Sequence, residues 1–198
     1  MMLTELTVVP GASLPVQALK DHLRLGTGFT EDGMQDGLIE AYLRAAIAAV
    51  EGRIGKVLLA RQYRLTVEDW RGAGEQPLPV APVSGIVSVT VVDAADVATV
   101  VAASRYRLVP DLHRPKLAAV GVLLPTVPMD GRAEVVFDAG FGTGWGQVPA
   151  DLAQAVILLA AEYYEVRQGG ESREAGLPFA VQALIERWRT VRVLGGKA

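Results

Sequence analysis

Residues 133–167 read AEVVFDAGFGTGWGQVPADLAQAVILLAAEYYEVR and constrain the fold more than any other stretch. A β-rich run ending at Phe137 is followed by glycines at 140, 142, 144 and 146, and then by a long apolar segment that Pro149 opens. The pattern predicts a strand, a tight turn and a helix, with Pro149 at the first helical position that proline favours. Such a corner invites comparison with a phosphate-binding loop, and the glycine spacing decides against it. A dinucleotide fingerprint needs glycines at the first, third and sixth positions. Counted from Gly140, Gly142 or Gly144, the sixth position is Trp145, Gln147 or Pro149. A P-loop needs a Lys followed by Ser or Thr, and none follows here. The expectation is a turn whose glycines allow positive φ, with Phe141 and Trp145 anchoring it to a neighbour. Leu152, Val156, Leu159, Ala160 and Tyr163 share the apolar face of the helix beyond it.

Helices are expected on both flanks of a strand-rich middle. Residues 1–13 read as an extended arm or a short edge strand. Leu14, Ala18, Leu19 and Leu23 carry helical spacing up to Gly26. Thr30 suits an N-cap, with Glu31 and Asp32 where the helix dipole favours acids. Leu38, Ile39, Tyr42, Leu43, Ala46, Ile47, Val50 and Ile54 then form a wide stripe, and Gly52 and Gly55 mark fraying near its end. Tyr63, Leu65 and Val67 alternate with Arg64, Thr66 and Glu68, as in a half-buried strand. Pro77, Pro79 and Pro82 confine any strand there to an edge or keep it very short. Residues 86–92 and 106–109 read as strands, 93–96 as a turn, and 111–131 as a loop with one or two short strands. Pro178 opens a last helix with Val181, Leu184, Ile185 and Trp188 on one stripe and Arg187, Arg189 and Arg192 on the other face. Strands segregated between helices predict an α+β fold, helices packed with a small, mainly antiparallel β-sheet. Three segments are expected: 1–29, an arm and short helix; 30–167, the α+β core; and 168–198, a flexible break and a docking helix.

Composition narrows the function. The chain has 198 residues, 51% hydrophobic, with a net charge of −3, which suits a packed core and provides no global basic footprint for nucleic acid. It has no cysteine, so disulfides and thiolate metal sites are excluded. No apolar run reaches the ~18 residues that span a bilayer, and the N-terminus lacks the basic-then-apolar pattern of a secretory signal. The expectation is a soluble protein made in the cytoplasm. His22 and His113 have no metal-ligand spacing between them. No serine lies in a Gly-x-Ser-x-Gly elbow, and Asp93 with Asp96 sits at a turn, where Asp is common for local reasons. No catalytic residue, metal or cofactor is expected. The basic last helix supports two readings. It is either a solvated face with cations near a helix C-terminus, or a surface for nucleic acid or an acidic protein.

Together these residues resemble a known family. The pattern comprises Thr30-Glu31-Asp32 opening a helix and a strand from Tyr63 to Trp70 ending in Asp-Trp. It continues with Leu78-Pro79 and Pro82-Val83 before Val87-Ser88-Val89, then Tyr106-Arg107-Leu108, residues 135–142, Val148-Pro149 with Leu152, and Tyr163-Tyr164-Glu165-Val166-Arg167. It is similar to the head–tail connector, or adaptor, proteins of long-tailed bacteriophages and the related connectors of gene transfer agents, from about Thr30 to Arg192. The resemblance implies a non-enzymatic subunit, made in the host cytoplasm and assembled into the particle neck. It implies a ring, dodecameric in the particle, that joins the portal to the next neck (stopper) protein. DNA would pass through the channel without sequence-specific binding, and no membrane is involved. By the same resemblance the last helix and tail, with Leu184, Ile185, Arg187, Trp188, Arg189 and Arg192, are candidates for the portal contact. Phe141 and Trp145 are candidates for an inter-subunit or neck contact. The alternative is a DNA-binding module using Arg187, Arg189 and Arg192.

Overall fold

The computed structural model describes residues 1–24, 33–166 and 176–189. Within them the chain forms two compact units. The first contains Met1–Val9 and Leu59–Thr143; the second contains Pro10–Leu58 and the residues from Gly144 onward. Contacts therefore group the residues differently from the linear segments 1–29, 30–167 and 168–198, because the first strand joins the middle of the chain.

The first unit is mainly β, with one 3₁₀ turn at Ala103–Arg105. Its strands are β1 (Met2–Glu5), β2 (Arg61–Val67), β3 (Glu75–Pro77), β4 (Val83–Val92), β5 (Ala98–Val100), β6 (Tyr106–Val109), β7 (Lys116–Ala119) and β8 (Arg132–Ala139). Five form an antiparallel sheet in the order β1-β2-β8-β4-β5, and three form a second in the order β3-β7-β6. The alternation read in residues 63–67 and 133–137 is realised as two central strands. Leu65, Val135 and Val89 lie side by side in register, each fully buried. Tyr63 stacks on Phe137 in the next row, with ring centroids 5.9 Å apart. The opposite face is polar, with Arg64 and Arg132 both paired to Glu134. β1 resolves the reading of residues 1–13 as an edge strand. β5 closes the other edge, and its hairpin turn is fixed by Asp93, whose Oδ1 accepts the N–H groups of Ala95 and Val97 at 2.9 Å each. The second sheet is short because proline and glycine interrupt its strands, as expected of residues 77–82 and 111–131.

The second unit is helical: α1 (Val16–His22), α2 (Gly33–Ile54), α3 (Ala150–Val166) and α4 (Phe179–Ile185). The expected N-cap at Thr30 lies outside the described residues. Gly52 does not fray α2; the helix runs through it to Ile54, and Gly55 then takes φ +67°, a left-handed stop that glycine reaches without steric cost. α3 packs against α1, α2 and α4. That explains why Leu152, Ala155, Val156, Ile157, Leu159, Ala160 and Ala161 are all buried, more than the single stripe its spacing requires. The described elements form the expected α+β fold.

Candidate functional site

The glycine corner is built on backbone contacts. Gly140 has φ +136°, and a Cβ there would lie 2.5 Å from the Ala60 Cα, so both conformation and space demand glycine. Its N–H donates to the Pro82 carbonyl at 2.9 Å, and the Gly142 carbonyl accepts from the Ala60 N–H at 2.7 Å. Gly144 has an ordinary extended conformation with φ −118°, so positive φ is not the general reason for these glycines. Its N–H donates to Gln147 Oε1 at 3.1 Å, while the N–H groups of Gln147 and Val148 close a 3₁₀ turn onto Gly144 and Trp145. The amides of Gly140, Gly144, Gln147 and Val148 are thus engaged within the chain. Phe141 and Trp145 are both half-buried, on either side of the point where the chain leaves one unit for the other at Thr143 and Gly144.

The last helix is anchored from within its own unit. Val181, Ile185 and Trp188 are buried, and α4 packs on α3. Asp151, in the first turn of α3, is the anchor. Its Oδ2 accepts the Trp188 indole N–H and the Arg187 Nε–H at 2.7 Å each, and its Oδ1 accepts the Leu152 N–H at 3.0 Å. Partial burial alone would raise the Asp151 pKa. The hydrogen bonds from Trp188, Leu152 and Arg187 outweigh it and hold the carboxyl below the ordinary carboxylate value. The Arg187 guanidinium also lies over the Trp188 ring, 4.9 Å from its centroid. Arg189 pairs with Glu186 at 3.1 Å.

The sequence-derived site residues therefore separate into two sets. Ile185 and Trp188 face the inside of the helical unit and hold the helix in place. Leu184 is half-buried, and Arg187 and Arg189 are exposed. Leu184 and Arg187, with Ala150, Asp151 and Ala183, line an open surface depression of about 390 Å³. Phe179, 86% exposed, is the most exposed large apolar side chain of α4. Arg192 lies outside the described residues. Asp151 was missed from sequence; its signal, an acid in the first turn of a helix, is shared by many helices and names no partner.

His22 and His113 are exposed, and among the described residues no cluster of three or more His, Asp or Glu could hold a metal. Among those residues no helix is long and apolar enough to cross a membrane.

No family model matches the chain, and no curated protein matches it. Solved structures do, over the full length of both chains. A chain in the neck of an empty gene transfer agent particle, computed with C6 symmetry, is 54% identical with a TM-score of 0.90. One in the virion of a native gene transfer agent particle is 56% identical with a TM-score of 0.86. One in the neck of a native particle, computed with C12 symmetry, is 52% identical with a TM-score of 0.85. With identity above half across the whole length, the chain belongs to the head–tail connector, or adaptor, family that contributes to the necks of gene transfer agent particles.

Proposed function

We propose that this protein is a structural ring subunit of a phage-like neck, seated between the portal and the next neck protein, with a central channel through which DNA passes. The observation that carries the reading is full-length similarity to neck subunits of gene transfer agent particles. The C6 and C12 averaging of those necks supports a ring, which we take as twelve copies. The subunit is made in the host cytoplasm and joins the particle there, and it performs no catalysis.

The portal contact is assigned to the exposed side of the last helix, with Leu184, Arg187 and Arg189, and to the tail that carries Arg192. Ile185 and Trp188 support that surface from beneath. Phe141 and Trp145 are assigned to a contact with a neighbouring subunit or neck protein. The alternative, a DNA-binding module on the basic helix, has less support, because Arg187 and Arg189 are already paired with Asp151 and Glu186. Cryo-electron microscopy of particles from the producing cell tests the proposal. The expected map holds twelve copies of this chain in a ring directly beneath the portal. Particles with a complete neck that lacks the chain would refute it.

A further inference from the structure

We infer that neighbouring copies join head to tail by pairing β5 of one subunit with β1 of the next, so that the five-stranded sheets continue across the subunit boundary. The inference deepens the ring assignment above and rests on it.

A ring of identical subunits needs two different, complementary surfaces on each copy. The five-stranded sheet provides them as two open edges. At one edge, the Val101 N–H donates to the Val89 carbonyl and the Asp93 N–H to the Val97 carbonyl. Residues 97, 99 and 101 therefore turn their backbone groups toward β4, and by the alternation of an antiparallel ladder Ala98 and Val100 turn theirs outward. At the other edge, the Leu6 N–H donates to the Gln62 carbonyl, so Leu3 and Glu5 turn their backbone groups away from β2.

Natural sheets guard such edges with charge, proline or a covering element. β5 reads Ala-Thr-Val, has all three residues exposed, and carries none of those guards. It is also held in place, by the Asp93 turn on one side and by the Arg132–Asp96 ion pair at 2.8 Å. An exposed edge strand free of charge, proline and cover is a template for another strand, although its length of three residues limits the ladder to a few bonds.

Direction and parity select the partner. Every pairing in the sheet is antiparallel, so β1 and β5, separated by four pairings, run the same way. A ring rotation preserves that direction, and β5 meets the next copy's β1 in parallel. With Val100 opposite Thr4, the N–H groups of Ala98 and Val100 face the carbonyls of Met1 and Leu3. The N–H groups of Leu3 and Glu5 face the carbonyls of Ala98 and Val100. Every outward backbone group of the two strands except the Glu5 carbonyl is then used. The side chains agree: Met2, Thr66, Glu134, Thr90 and Val100 form one cross-strand row on the polar face, and its two ends, Met2 and Val100, are exposed apolar residues. Pairing brings those ends together diagonally across the new boundary.

The absence of native cysteine makes the test direct. Particles are made with Thr4→Cys and Val100→Cys in the same chain and treated with a short bismaleimide, which tolerates a register slip of one residue. The expected result is a ladder of covalent multimers of this chain, absent in either single variant. Val100→Pro removes an outward N–H and no bond to β4, at an edge position that tolerates proline, so circular dichroism and melting should stay close to wild type while ring incorporation is lost. Particles that contain the ring but give no ladder overturn the strand pairing alone, as does normal incorporation of Val100→Pro. Dimers from Val100→Cys alone would mean β5 pairing with itself, and would also overturn it. Complete necks without a multi-copy ring of this chain overturn both the pairing and the assignment beneath it.

Discussion

Trp188→Ala tests whether the last helix belongs to the fold or waits for a partner. Trp188 is 8% exposed, packs in the helical unit, and donates its indole N–H to Asp151 at 2.7 Å. Truncating a buried aromatic to alanine costs about 3–5 kcal/mol. With a urea m-value of about 2–3 kcal/mol/M for a chain this size, the midpoint should fall by roughly 1–2 M. Two companions resolve the contributions. Trp188→Phe keeps most of the buried ring and loses the bond to the carboxylate, a loss of about 1.5–3 kcal/mol. The low end applies, because Leu152 and Arg187 still hold Asp151. Arg187→Ala removes an ion pair whose arginine side chain is 70% exposed, worth less than about 1 kcal/mol. The assay is urea unfolding followed by far-ultraviolet circular dichroism, which reports the helices. The expected order of destabilisation is Trp188→Ala, then Trp188→Phe, then Arg187→Ala. An unchanged midpoint for Trp188→Ala would refute the reasoning and return the apolar stripe to the role of a free docking face.

Three further outcomes follow from the same geometry. Gly140→Ala combines a positive φ, costing about 1–2 kcal/mol, with overlap against the Ala60 backbone, costing about 1–3 kcal/mol more, so its melting temperature should drop by several degrees. The Asp151 carboxyl is held below its ordinary pKa, so its contribution is complete above the unfolded value of about 3.9 and is lost as pH falls through the folded value. Wild type should therefore lose stability on acidification in a window that Asp151→Asn lacks, measured by urea midpoints across pH. Val156→Asp places an unpaired charge at a fully buried position of α3, at a cost of several kcal/mol, and should yield no soluble, cooperatively melting protein.

Periodicity made the regular elements legible. Leu65, Val67, Val135 and Phe137 alternate because their strands lie between one apolar and one polar face, and that pattern is local. The stripe of α2 is legible for the same reason. What periodicity cannot give is the partner. Val181, Ile185 and Trp188 make an amphipathic stripe whether they dock on another protein or on α3, and only the fold shows the second. Trp188 and Asp151 meet across 37 positions, and no spacing rule anticipates that bond. Gly140 was readable as a turn glycine, whereas its closest constraint is the Ala60 backbone, brought there by β2 pairing with β8. The three-stranded sheet was obscure because β3 and β7 are short, proline-flanked and paired across about forty residues. The two open edges were invisible for a similar reason, since an edge is defined by what the sheet leaves unpaired.

The division of the chain into two interleaved units sets the timing of its birth. α2 is complete at Ile54, but α3, which covers it, ends only at Val166, about a hundred residues later. At a synthesis rate of about 5–20 residues per second, the apolar stripe of α2 is made roughly 5–20 s before its cover exists. β1 likewise leaves the ribosome before any strand it can pair with. Neither unit is completed by a contiguous stretch of message, so the nascent chain passes through a long interval in which both carry uncovered apolar surface.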